Sequence, residues 1–152
     1  MKQDKKAVFF GCSMRGDNSY VARDDLLKII DVIEHNNCYL VSKHQTKENI
    51  LGEENLIDVK NIHDRDYEWL LEADFGVFEV SNPSLGVGAE ISDMMHLGKP
   101  VFCFYKFGLD NFISAYIRGK KSTKYFKGLF MIEPYNSVDD FDEKFKKMFD
   151  LV

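Results

Sequence analysis

Apolar residues occur in five short runs, and the segments between these runs carry apolar residues with helical spacing. This alternation predicts an α/β fold of the flavodoxin-like, or Rossmann-like, kind: a five-stranded parallel sheet in the order 2-1-3-4-5 with helices on both faces. The predicted strands are 7–11, 38–41, 75–80, 101–105 and 129–133. The predicted helices are 20–35, 61–73, 109–117 and 138–149, and 90–97 continues a helix that begins within 82–90. Segment 42–60 has no clear period, so we predict a long loop near the site or a lid.

The stretch 82–90, with the sequence NPSLGVGAE, joins the third predicted strand to a helix. Pro83 restricts one backbone dihedral and the glycines permit unusual ones, so backbone N–H groups can converge on an anion at the helix N-terminus. We expect Ser84 to add a hydroxyl there and Glu90 to lie on the first helical turn. The alternative is an ordinary turn followed by a first-turn acid. The dinucleotide-binding fingerprint is absent, because Ile91 stands where its third glycine would fall. The phosphate-binding motif GxxxxGK[ST] has no match in the sequence either.

A second glycine-bounded turn, 11–16, follows the first predicted strand. In the predicted sheet order, the carboxyl ends of the first and third strands border the crevice in which such folds bind ligands. Turn composition and topology therefore indicate the same site. Glu79 is an unusual residue inside the otherwise apolar third strand.

Asp66 falls within the apolar stripe of the predicted helix 61–73, among Ile62, Trp69 and Leu70. An inward carboxylate needs a partner or a function, because ionisable groups are rarely buried alone. Two interpretations follow: a capping or salt-bridge role, or a catalytic carboxylate.

The chain has 152 residues, 45% of them hydrophobic, which fits one domain spanning 1–152. A net charge of −5 disfavours a nucleic-acid polymer or a membrane surface as partner and favours a small anionic ligand. The three cysteines lack CxxC spacing and are expected as reduced thiols in or near the core. The four histidines lack metal-site spacing, so no metal is expected. The charged start indicates a cytoplasmic protein, with entry to the nucleus left open.

Four segments, in this order, resemble the 2'-deoxynucleoside 5'-phosphate N-hydrolases of the nucleoside 2-deoxyribosyltransferase superfamily. They are FFGCSMRG at 9–16, HDRDYEWL at 63–70, PSLGVGAE at 83–90 and SAYIRG at 114–119. The resemblance extends from about residue 8 to residue 119.

The resemblance implies cleavage of the N-glycosidic bond of a nucleoside 5'-monophosphate without a cofactor. Glu90 would be the nucleophile that forms a covalent sugar intermediate, and Asp66 the second carboxylate of a retaining pair. Ser114 would reach the phosphate of a neighbouring subunit, which implies a homodimer. The residues that the resemblance assigns to substrate binding are Phe9, Ser13, Met14, Arg15, Gly16, His44, Ser84, Gly86, Ser114 and Tyr116.

Two positions depart from the family pattern. Gly11 and Cys12 stand in exchanged order, and Phe9 replaces the tyrosine that deoxynucleotide hydrolases place beside the ribose. Since a branch that hydrolyses cytidine monophosphates also has phenylalanine there, a ribonucleotide hydrolase is one alternative. The others are a nucleoside 2-deoxyribosyltransferase and a non-catalytic nucleotide-binding protein.

Overall fold

The computed structural model describes residues 5–13, 20–43, 52 and 56–152. Its sheet has five parallel strands in the order β2-β1-β3-β4-β5, which confirms the predicted fold. The strands are β1 (Lys6–Cys12), β2 (Cys38–Leu40), β3 (Phe75–Glu79), β4 (Val101–Lys106) and β5 (Phe130–Tyr135). Gly11 pairs with Phe78 and Cys12 with Glu79, so β1 and β3 end side by side at the carboxyl edge of the sheet.

Helices connect the strands and pack on both faces of the sheet. They are α1 (Arg23–His35), α2 (Val59–Glu72), α3 (Leu85–His96), α4 (Ala115–Gly119) and α5 (Val138–Phe149), with a short 3₁₀ helix at Lys120–Ser122. Among the described residues, no helix is long and apolar enough to span a membrane. Most of the predicted loop 42–60 lies outside the described residues, and α2 begins within it at Val59.

Two apolar clusters fill the two faces. One lies between the sheet and helices α1 and α5, where Phe141 and Phe145 are completely buried. The other lies under α2 and α3 and contains Phe9, Phe78 and Ile91. The three cysteines are buried in strands, as expected for core thiols.

The predicted helix 109–117 is wrong in its bounds. Residues after β4 first form a turn in which Gly108 has φ +89° and the N–H of Ile113 donates to Leu109 O. Ser114 has φ −46° and ψ 125°, outside the helical region, so helix α4 begins only at Ala115. Ser114 therefore occupies the N-cap position of α4.

Candidate active site

Helix α3 begins at Leu85, directly after the turn that follows β3. Ser84 has an extended backbone, and its hydroxyl accepts a hydrogen bond from the N–H of Val87 at 3.3 Å. Ser84 is therefore the N-cap. Two expectations are corrected: Glu90 lies in the second turn of the helix, and Gly86 and Gly88 are helical residues without a positive φ. The cap forms two residues before Gly86, and for that reason the helix starts earlier than the glycines suggest.

Glu90 reaches back from α3 to the end of β1. A β-carbon built on Gly11 would lie 3.1 Å from Glu90 Oε2 and 2.6 Å from Cδ1 of Phe78. Gly11 thus leaves room for both the carboxylate and the aromatic ring, which a larger residue at this position would displace. The sequence indicated a turn here but not this contact.

Cys12 is close enough to Glu90 for the carboxylate to affect its ionisation. Burial raises the pKa of the Cys12 thiol to about 12, and the charges of Glu79 and Glu90 contribute to that rise. The thiol is therefore protonated at neutral pH and is a poor nucleophile. Glu90 is therefore a better candidate for the nucleophile than Cys12.

A cavity of about 520 Å³ opens beside the N-terminus of α3. Its volume is in the range of small-molecule sites. The turn before α3 contributes Ser84, the residue before α4 is Ser114, and the first turn of α4 contributes Tyr116, so three predicted binding residues line one cavity. Gly86 and Glu90 are not part of this lining.

Asp66 is held by its sequence neighbour on α2. Arg65 Nε donates to Asp66 Oδ1 at 2.8 Å, and Arg65 Nη2 lies 2.7 Å from the same oxygen. The Arg65 guanidinium also lies 4.7 Å from the centre of the Trp69 ring. Both charged side chains are about one-fifth exposed. The salt bridge that the capping or salt-bridge interpretation predicts is therefore present. Asp66 is partly exposed to solvent rather than fully buried in the core.

The remaining predicted residues fall into two groups. Phe9 is completely buried, with its ring 5.7 Å from that of Phe78, and it lies on the same face of β1 as Gly11. Ser13 follows β1 and is half-buried. Four predicted residues lie outside the described residues, namely Met14, Arg15, Gly16 and His44.

Sequence reasoning assigned no role to three polar residues that hold the turn. Glu79 and Ser81 are buried, and Asn82 Oδ1 accepts a hydrogen bond from the N–H of Tyr20 at 2.8 Å. The one available signal was the charged Glu79 within an apolar strand. In the described part of the chain, no group of three or more His, Cys, Asp or Glu side chains could hold a metal ion.

No protein-family model matches the chain. A Trichoplax adhaerens protein named "Putative 2'-deoxynucleoside 5'-phosphate N-hydrolase 1" is 32% identical over 147 residues, covering 95% of this chain and 94% of the relative. The 5-hydroxymethyl-dUMP N-hydrolase of Rattus norvegicus is 45% identical over 69 residues, which cover 45% of this chain and 42% of the relative.

Among solved structures, the Clostridium botulinum CMP N-glycosidase is similar with a TM-score of 0.65. The match covers 94% of this chain and 99% of that chain at 16% sequence identity. Identity this low supports the shared fold alone.

Proposed function

This chain belongs to the 2'-deoxynucleoside 5'-phosphate N-hydrolase family, and we propose from this that it hydrolyses 2'-deoxynucleoside 5'-monophosphates to a free base and 2-deoxyribose 5-phosphate. The observation that carries the proposal is the carboxylate of Glu90 at the adjoining ends of β1 and β3, one turn along the helix that Ser84 caps. A carboxylate nucleophile beside a helix terminus that favours an anion suits the cleavage of a nucleotide at its sugar.

In the first proposed step, a carboxylate oxygen of Glu90 bonds to C1' while the bond from C1' to the base breaks. The bonding electron pair leaves with the base, which takes up a proton. Water then attacks C1' of the glutamyl sugar, loses a proton and releases the sugar phosphate with the Glu90 carboxylate restored. The sum is one nucleotide and one water giving one base and one sugar phosphate.

Asp66 is the proposed second carboxylate, which orients groups around Glu90 or passes a proton to the departing base. Its contact with Arg65 supports a fixed orientation, because Nε and Nη2 of one guanidinium both approach Oδ1. The packing of α2 against β1 and α3 keeps this pair on the same side of the sheet as Glu90.

The 5'-phosphate is proposed to bind at the N-terminus of α3. The first N–H groups of a helix have no acceptor within the helix and carry partial positive charge, so they favour an anion there. Ser84 and Ser114 line the cavity beside this terminus. A transferase acting on unphosphorylated nucleosides would have no use for this arrangement.

We propose a homodimer in which Ser114 contributes to the neighbouring site. The surface around the cavity supports this, since large apolar side chains there are exposed: Leu85 is 97%, Phe112 64% and Tyr116 78% accessible. Contiguous apolar surface of this kind marks an interface more often than free surface. A second copy of the chain would cover it.

A ribonucleoside monophosphate is the second candidate substrate, and Phe9 favours it. The family resemblance places the lost tyrosine hydroxyl beside the ribose, so Phe9 removes a group that would occupy space near a 2'-hydroxyl. A 2'-hydroxyl still destabilises the oxocarbenium-like transition state inductively. We therefore expect a deoxynucleotide hydrolase with measurable ribonucleotide activity.

The test is to incubate the protein with matched ribo- and deoxyribonucleoside monophosphates and to separate any free base by chromatography. Release of base with formation of a 5-phosphosugar supports the proposal. A new nucleoside on addition of a second base identifies a transferase. Binding of monophosphates in calorimetry without release of base, even over hours at high enzyme concentration, identifies a non-catalytic binding protein.

A further inference from the structure

Glu79 is a buried carboxylate at the end of β3, only 2% exposed, and it accepts hydrogen bonds from two directions. Its Oε1 accepts from Ser81 Oγ at 2.5 Å and from the Tyr135 hydroxyl at 3.2 Å. Its Oε2 accepts from the backbone N–H of Ser81 at 3.2 Å. The carboxylate thus fixes both the side chain and the backbone of Ser81.

Ser81 extends this network to the next strand. Its buried hydroxyl donates to Glu79 and accepts from the backbone N–H of Lys106 at 2.8 Å. Because Lys106 ends β4 and Tyr135 ends β5, the network ties the carboxyl ends of three neighbouring strands together. The chain leaves the sheet at Ser81 and reaches the N-cap, Ser84, three residues later.

Glu79 does not face the proposed catalytic side of the sheet. Side chains alternate between the two faces along a strand, so Glu79 lies on the same face as Val77, two residues earlier. Val77 belongs to the cluster under α1 and α5, whereas Phe78 belongs to the opposite cluster with Ile91 of α3. We therefore expect Glu79 to influence Glu90 and the phosphate through the backbone of the turn rather than by contact with the reacting atoms.

The charged and titratable groups around Glu79 come from four elements. Cys12 of β1 is its partner in register, and Tyr135 of β5 donates to it. Burial raises the pKa of Glu79, and the charge of Lys106 of β4 partly counteracts that rise. Asp25 of α1 lies 3.5 Å from Lys106 Nζ and partly balances that charge.

We propose that Glu79 and Ser81 are positioning residues that fix turn 82–84 for binding of the 5'-phosphate, an inference that rests on the proposed function. A phosphate held by backbone N–H groups is sensitive to the exact course of the chain, since each hydrogen bond requires a donor within about 3 Å and good alignment. Ser81 is the last residue before the turn whose position is fixed by buried side-chain hydrogen bonds. Loosening it lets the turn move relative to the sheet.

The probe for this inference is 2-deoxyribose 5-phosphate, which carries the phosphate without a base and so avoids the unknown base preference. Its affinity for the full chain is measured by calorimetry. Ser81→Ala and Glu79→Gln are each expected to weaken it at least about fivefold, the scale of one lost net hydrogen bond. With a turnover substrate, the same variants raise KM more than they lower kcat.

The matched control is Ser42→Ala. Ser42 is also a buried serine whose hydroxyl makes two hydrogen bonds, to the N–H of Phe10 at 2.9 Å and the carbonyl of Phe10 at 2.8 Å, away from the turn. Ser42→Ala removes interactions comparable to those lost in Ser81→Ala. It is therefore expected to lower the free energy of unfolding similarly while changing the affinity for the probe less than about twofold.

The double variant separates positioning from general destabilisation. Because Glu79 and Ser81 act through one network, combining Glu79→Gln with Ser81→Ala should weaken the affinity no more than the worse single variant does. If one of the two single variants fails to fold, the probe affinity of the other single variant is compared with that of Ser42→Ala, and this comparison decides the test. Equal affinity in Ser81→Ala, Ser42→Ala and the unaltered chain overturns the positioning role but leaves the proposed function intact. If the unaltered chain neither binds the probe nor releases base, both are overturned.

Discussion

Glu90 Oε2 lies 3.1 Å from the position that a β-carbon on Gly11 would occupy, across the carboxyl edge of β1. The position of the proposed nucleophile therefore depends on the lack of a side chain at Gly11 of β1. The same absence admits the ring of Phe78, to which that β-carbon would come within 2.6 Å. The first prediction follows from this contact.

Gly11→Ala should lower kcat/KM by at least about tenfold, because the new methyl group displaces Glu90 or Phe78, and overpacking of this kind should cost about 1–3 kcal/mol in free energy of unfolding. Gly119→Ala is the control, since an added β-carbon there has no atom within 4 Å. Adding Phe78→Leu should recover stability more than activity. Gly11→Ala with unchanged kcat/KM would show that Glu90 does not need this space.

Ser114→Ala should weaken monophosphate binding while leaving stability nearly unchanged, because the Ser114 hydroxyl makes no capping hydrogen bond to α4. Ser84→Ala should do both, since its hydroxyl caps α3 and N-cap removal costs about 1 kcal/mol. Calorimetric affinity and urea unfolding of the two variants make the comparison.

Mixing Ser114→Ala subunits with Glu90→Gln subunits tests whether the site is shared. If Ser114 acts in the partner's site, each mixed dimer has one intact site, and random exchange restores about a quarter of the unaltered activity. If Ser114 acts within its own chain, whose cavity it lines together with Ser84, mixing restores nothing beyond the residual activity of Ser114→Ala. Subunit exchange is verified separately with a tagged chain.

Glu79→Gln should become more stable relative to the unaltered chain as pH rises. Burial outweighs the hydrogen bonds to Ser81 and Tyr135 and raises the pKa of Glu79 from 4.5 to about 7. Between these values the folded state binds more protons than the unfolded state, so the stability contributed by protonated Glu79 is complete below pH 4.5 and is lost as pH rises through 7.

The difference in free energy of unfolding between Glu79→Gln and the unaltered chain should therefore shift by up to about 3 kcal/mol in favour of the variant between pH 4.5 and 8. Urea unfolding at several pH values measures it, with Glu68→Gln on the exposed face of α2 as control. A difference that stays constant across this range would contradict the raised pKa.

Phe9→Tyr should shift the ratio of kcat/KM values toward deoxyribonucleotides by at least about fivefold, since it restores a hydroxyl in the region proposed for the 2' position. Phe10→Tyr is the matched control, because Phe10 is equally buried but belongs to the cluster on the other face of the sheet. One matched ribo and deoxy substrate pair suffices. An unchanged ratio in Phe9→Tyr removes this residue from substrate selection, and an unaltered chain that prefers the ribonucleotide favours the second candidate substrate.

The sheet order and the terminal helix were predictable from sequence because apolar periodicity directly reflects burial. Phe141 and Phe145 are completely buried at the spacing that predicted α5. Helix starts were less predictable. The Ser84 cap sets the start of α3 five residues before the Glu90 that sequence reasoning placed on the first turn, and Ser114 interrupts a helix that periodicity extended across it.

Part of the candidate site was predictable from the sequence. The glycine-rich stretch and Asp66 stood out by residue type, whereas the contact between Gly11 and Glu90 joins residues far apart in the chain that only the packing of α3 on β1 brings together. The network of Glu79 with Ser81 and Tyr135 was unpredictable for the same reason, since Tyr135 lies on β5.

The central claim is that Glu90 cleaves the N-glycosidic bond of a nucleoside monophosphate. Its most direct test is kcat/KM for base release by Glu90→Gln, measured with the best monophosphate substrate beside Glu68→Gln. We predict a loss of at least about a thousandfold with substrate binding largely retained, and activity within about twofold of the unaltered chain in the control. A Glu90→Gln variant that keeps a tenth of the activity would contradict the claim.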